Sequence, residues 1–100
     1  MKVLITGANG MLGRDVAAAA DAVHHEIVAL DREQLDITNE RAVNRIFERE
    51  LPRVVVNCSA YTAVDLAEEN EYEATRVNGE AAGFVAVAAE AVGAKVYYPS

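Results

Sequence analysis

Three glycines at three-residue intervals, Gly7, Gly10 and Gly13, are followed eighteen residues after the last by Asp31, with Arg32 beside it. Glycine has no Cβ, so Gly7 can turn the chain tightly and Gly10 can let backbone N–H groups approach a pyrophosphate. Gly13 can let a following helix sit close to a sheet. A carboxylate about 20 residues beyond such glycines, at the end of a second strand, can accept the hydroxyls of a dinucleotide ribose. An arginine there offers a planar fork of donors to a phosphate. The glycines alone fit an ordinary strand-to-helix turn equally well. Asp31 and its spacing favour a dinucleotide site, and the absence of a Gly-Lys-Ser/Thr closing the turn argues against a P-loop.

Those residues need strands and helices to place them. Val3-Leu-Ile5 is a short apolar run that reads as a buried strand, and the stretch from Met11 to Ala22 reads as a helix. The unpaired N–H groups and positive dipole end of that helix would face the phosphates. A second strand runs from His25 to Leu30, ending just before Asp31. In the polar connection that follows, Asp36-Ile37 can offer an adenine ring one carboxylate and one apolar wall.

Thr38 or Asn39 can cap a helix reaching about Leu51, whose apolar positions Val43, Ile46, Phe47 and Leu51 share one face; Pro52 stops it. Val54-Val-Val56 reads as a third buried strand, followed by the loop Cys58–Val64. A helix over Glu71–Val92 carries Val77, Ala81, Phe84, Val85, Ala88 and Val92 on one stripe, with Gly93 as its C-terminal stop. Lys95–Tyr98 is the last strand. This β-α-β-α-β-α-β pattern predicts a Rossmann-type α/β fold, a parallel sheet with helices on both faces. The expected strand order is 3-2-1-4, with the switch point between the first and fourth strands.

One hundred residues make one domain, and an apolar content of 52% supports a real core. Sixteen acids against nine bases give a charge of −7, which disfavours nucleic acid and anionic membranes as partners. No apolar run approaches the ~20 residues that span a bilayer, and the chain enters its first strand without a signal-like segment. A cytoplasmic location is expected, and the single cysteine, Cys58, suits a reducing compartment. His24 and His25 have no Cys or acid at ligand spacing and read as surface residues; no metal site is expected from the residues themselves. The acids Asp65, Glu68, Glu69, Glu71 and Glu73 read as a solvated face.

The opening Ile5-Thr-Gly-Ala-Asn-Gly-Met-Leu-Gly-Arg14 resembles the cofactor turn of the extended short-chain dehydrogenases/reductases. Leu30–Thr38, Val56–Asp65 and Arg76-Val-Asn78 resemble, within that superfamily, the N-terminal portion of the dTDP-4-dehydrorhamnose reductase family; Ala60-Tyr-Thr-Ala-Val-Asp65 is the most specific piece. The resemblance implies that Gly10, Met11 and Leu12 lie against the pyrophosphate of NADPH or NADH. Asp31 and Arg32 would sit at the adenosine ribose, and Asp36 with Ile37 at the adenine. Ala60, Tyr61 and Thr62 would border the nicotinamide and the entry to a nucleotide-sugar site. A packed ring and a turn hydroxyl are the structural alternatives for Tyr61 and Thr62. Leu66 replaces the family's usual lysine, and Cys58-Ser59 replaces a pair of alanines.

The family's catalytic Tyr-x-x-x-Lys pair is absent, since Asp65 and Arg76 stand four residues beyond Tyr61 and Tyr72, and no lysine follows Tyr97 or Tyr98. The resemblance therefore implies that residues 1–100 are the cofactor-binding fragment of a sugar-nucleotide reductase of about 300 residues. Its cofactor would carry the redox chemistry and its substrate would be dTDP-4-dehydrorhamnose. Two other functions stay open: a regulatory subunit resembling that of methionine adenosyltransferase, and a nucleotide-sugar epimerase or dehydratase. The resemblance also allows a homodimer and a Mg2+ ion in the full-length member, near Asp15.

A bulky residue at Gly10 should abolish dinucleotide binding while the domain still folds. Calorimetric titration of the full-length variant is the check, and unchanged affinity would make the turn purely structural.

Overall fold

The computed structural model describes residues 1–8, 18, 25–58 and 71–98, with 71–78 followed by backbone alone. Among the described residues there are four strands and two helices: β1 (Lys2–Thr6), β2 (Glu26–Leu30), α1 (Glu40–Glu50), β3 (Val54–Asn57), α2 (Glu71–Ala91) and β4 (Lys95–Tyr97). All pairings are parallel. The expected helix over 11–22 and the loop beyond Cys58 lie outside the described residues.

The α/β class is as expected, but the strand order is not. The sheet runs β2-β1-β3-β4, so β3 lies beside β1 and the expected 3-2-1-4 order is corrected. Burial explains the difference. β3 is an unbroken Val-Val-Val run with Val55 fully buried, and it takes a place between two neighbours. In β2, Glu26 and Ala29 remain exposed, which suits the outer position among these strands. The chain therefore reverses direction at β1, and the switch point falls between β1 and β3 rather than between the first and fourth strands.

The same order decides which face the helices cover. The connections β2-α1-β3 and β3-α2-β4 both step across the sheet in one direction, and right-handed crossovers put such helices on one side. Leu4, Val55, Val43, Phe47, Val85, Ala88 and Ala89 accordingly form one buried cluster, joined by Val28 and Val96. Strand side chains alternate, so Val3, Ile5 and Cys58 form a second cluster on the other face with Ile27, Val54 and Val56. The connection from β1 to β2 steps the opposite way, and most of it lies outside the described residues.

Local chemistry accounts for the helix ends. Asn39 caps α1, its Oδ1 accepting the Ala42 N–H at 3.1 Å. Val43 and Phe47 are fully buried as expected. Leu51 is a correction: it is 62% exposed rather than part of the apolar face. It closes α1 in the left-handed region (φ 46°), its N–H bonded to the Phe47 carbonyl, and this turns its side chain away from the core. α2 ends as Gly93 predicts. Gly93 (φ 74°) donates to Glu90 and Ala94 donates to Ala89 at 2.8 Å, the paired bonds of a Schellman motif.

Phe47→Ala should cost about 3–5 kcal/mol through the cavity it leaves. Leu51→Gly should instead stabilise by about 1 kcal/mol, because glycine carries no left-handed penalty. Urea denaturation measures both, and a destabilised Leu51→Gly variant would contradict the strain assigned to that cap.

Candidate functional site

The carboxyl ends of β1, β2 and β3 meet at one edge of the sheet. Thr6 is level with Leu30 on one side and with Asn57 on the other. Immediately beyond, Gly7 takes φ 65°, a left-handed value that any side chain would strain, and it is buried. The turn is bonded to both flanks: Ala8 donates to the Leu30 carbonyl at 3.0 Å, and Cys58 donates to the Thr6 carbonyl at 3.1 Å. Gly7 and Asp31 thus leave adjacent strands at the same level.

Beneath that edge, the Thr6 hydroxyl donates to Asn57 Oδ1 at 2.8 Å, with both residues buried. Sequence reading passed over this pair. Its signal was a polar residue closing each of two apolar runs, Val3-Leu-Ile5 and Val54-Val-Val56.

Asp31 opens a single helical turn. Its Oδ1 accepts the Gln34 N–H at 2.9 Å, Gln34 Oε1 accepts the Asp31 N–H at 3.0 Å, and the Asp31 carbonyl accepts the Leu35 N–H at 2.9 Å. This is the reciprocal arrangement of a capping box, and the Asp-x-x-Gln spacing was its overlooked signal. Arg32 is exposed on the same turn. Asp36 follows with a second local closure, its Oδ1 accepting both the Thr38 N–H (3.0 Å) and the Thr38 hydroxyl (2.7 Å). The Thr38 hydroxyl holds the Asp36 carboxyl below its ordinary value, aided by the Thr38 N–H and Arg32 against the opposing effect of burial. Ile37 is half-buried and packs against the main core cluster, so its side chain helps to anchor this turn.

The structure brings Gly7, Asp31 and Arg32 to this edge, with Asp36 and Ile37 one turn further along the same connection. Gly10, Met11, Leu12, Gly13, Ala60, Tyr61 and Thr62 lie outside the described residues, as does Asp15. Cys58 is 2% exposed against Val3 and Ile5, and burial pushes its thiol up, so it packs as a small apolar residue. No helix among the described residues is long and apolar enough to cross a membrane.

A four-stranded parallel sheet with a buried glycine turn at its switch point defines a Rossmann-type α/β domain. The chain belongs to the RmlD family, since the family model described as RmlD substrate binding domain matches residues 1–100. It is similar to the dTDP-4-dehydrorhamnose reductase of Burkholderia thailandensis, 46% identical over 93 residues that make up 93% of this chain and 31% of that protein. Among solved structures, a dTDP-4-dehydrorhamnose reductase from Clostridium acetobutylicum matches with TM-score 0.84 and 45% identity, over 96% of this chain and 34% of that one. The reductase of Bacillus anthracis in complex with NADP matches with TM-score 0.84 and 39% identity, over 95% and 34%. The chain thus spans about a third of the length of these relatives.

A carboxylate held below its ordinary value contributes stability above that value, about 3.9 for aspartate, and loses it as pH falls through the folded-state value. Thr38→Val should therefore move Asp36 part of the way back up, since the backbone N–H bond remains, and should shrink the acid-side loss of stability. NMR titration of the Asp36 carboxyl checks this, and an unmoved titration would remove the hydroxyl as its cause.

Proposed function

We propose that residues 1–100 are the cofactor-binding part of an NAD(P)H-dependent sugar-nucleotide reductase that converts dTDP-4-dehydrorhamnose to dTDP-rhamnose in the cytoplasm. The observation that carries this reading is that Gly7, at the end of β1 and so beside the switch point where such sheets bind nucleotides, stands level with Asp31 at the end of the adjacent parallel strand β2. Family membership and the NADP-bound relative support the cofactor and the substrate class.

The residues fit a dinucleotide. The left-handed Gly7 turn leaves backbone, without a side chain, facing the place where a pyrophosphate sits; Gly10, Met11, Leu12 and Gly13, next in the sequence, are assigned to the same pyrophosphate. Asp31 offers a carboxylate to the ribose hydroxyls and Arg32 a guanidinium to a 2′-phosphate. Asp36 and Ile37 border the adenine, and Ala60, Tyr61 and Thr62 border the nicotinamide and the nucleotide-sugar. The bound nicotinamide supplies the hydride. This chain's own residues bind and orient, and the proton donor belongs to the remainder of the full-length protein.

Asp31 repels a 2′-phosphate while Arg32 attracts it, and each effect is worth about 1.5–3 kcal/mol. The full-length enzyme should therefore use both cofactors within about tenfold, the fold-change left when terms of that size nearly cancel. Arg32→Ala should shift kcat/KM toward NADH and Asp31→Ala toward NADPH, measured with dTDP-4-dehydrorhamnose. Absence of turnover with either cofactor overturns the functional reading, and an unmoved ratio in Arg32→Ala removes the phosphate role.

A further inference from the structure

We propose that Gln34 is a positioning residue that sets the choice between NADH and NADPH by holding Asp31. The inference rests on the dinucleotide reading above and adds to it a residue that touches no part of the cofactor.

Asp31 is tied at three points: its N–H to Gln34 Oε1, its Oδ1 to the Gln34 N–H, and its carbonyl to the Leu35 N–H. Leu35 is 3% exposed, so the turn is nailed to the core from behind. Gln34 itself is exposed and is not among the residues of the apolar core clusters. The division of labour is clear: Leu35 supplies apolar anchorage, while Gln34 closes the hydrogen-bonded ring that stops the Asp31 backbone and carboxylate from rotating. With Oδ1 committed to the Gln34 N–H, Oδ2 carries no bond among the described residues and is the oxygen presented to a ribose hydroxyl.

The amide matters as well as the ring. Glutamate and glutamine both complete a capping box, but glutamate would add a negative charge beside Arg32 and against a 2′-phosphate. Glutamine keeps the ring closed and the turn tolerant of that phosphate. Arg32 and Glu33 are the exposed charged neighbours on this turn, with Asp36 following it.

The experiment measures Kd for NADH and for NADPH by calorimetry on full-length wild type, Gln34→Leu, Gln34→Glu and Asp31→Ala. Gln34→Leu should weaken NADH about fivefold, the loss of roughly one capping interaction, and leave NADPH within about twofold. Gln34→Glu should keep NADH within about twofold and weaken NADPH about fivefold, as expected for one added like charge near a screened surface. In an Asp31→Ala background, Gln34→Leu should change neither. A merely structural role would move both cofactors together, so equal changes, or none, overturn the inference. Failure of wild type to bind either dinucleotide overturns the functional reading and this inference with it. Normal binding with unmoved ratios overturns this inference alone.

Discussion

β1 is hydrogen-bonded along both edges up to its last residue, and the rest of the molecule is arranged around that strand. Its neighbours are β2 on one side and β3 on the other, and the bonds continue past its end into Ala8 and Cys58. A buried hydroxyl or amide without a partner costs about 1–3 kcal/mol. Thr6 and Asn57 avoid that cost by bonding each other across the strand pair at 2.8 Å. The buried Gly7 turn therefore starts from a point that neighbouring strands hold on both sides, which is what a backbone cradle for an anion requires.

The connection after β2 achieves rigidity by different means. It has little apolar surface, with Leu35 and Ile37 reaching the core cluster. Order comes instead from side chains that bond their own backbone: Asp31 with Gln34, Asp36 with Thr38, and Asn39 with Ala42. The stretch that would meet the adenosine half of a cofactor is thereby shaped before any ligand arrives. Preorganisation of this kind lowers the ordering cost of binding.

Two residues depart from simple expectation and both have local causes. Leu51 continues the apolar spacing of α1, yet the left-handed cap that ends the helix before Pro52 takes it out of the stripe. Cys58 follows β3 on the face away from α1 and α2 and is buried there with Val3 and Ile5.

Element types were legible in the sequence because they rest on local chemistry: the Val-Leu-Ile and Val-Val-Val runs, the Asn39 cap, the Val43–Phe47 stripe and the Gly93 stop. The candidate dinucleotide site could be named from glycine spacing followed by an acid, since those are positions along one chain, and of these the fold brings Gly7 and Asp31 level on adjacent strands. The order of the strands was not, because periodicity says that a strand is buried without saying which strand lies beside it. Only the packed sheet decided that β3 joins β1, by giving the interior places to the strands with the fewest exposed residues. That choice moved the switch point to β1 and β3 and put α1 and α2 on one face. The Thr6–Asn57 bond, between residues 51 apart in the chain, likewise exists only because tertiary pairing brings two strand ends level; each polar residue at a strand end is a local feature, but their partnership is not.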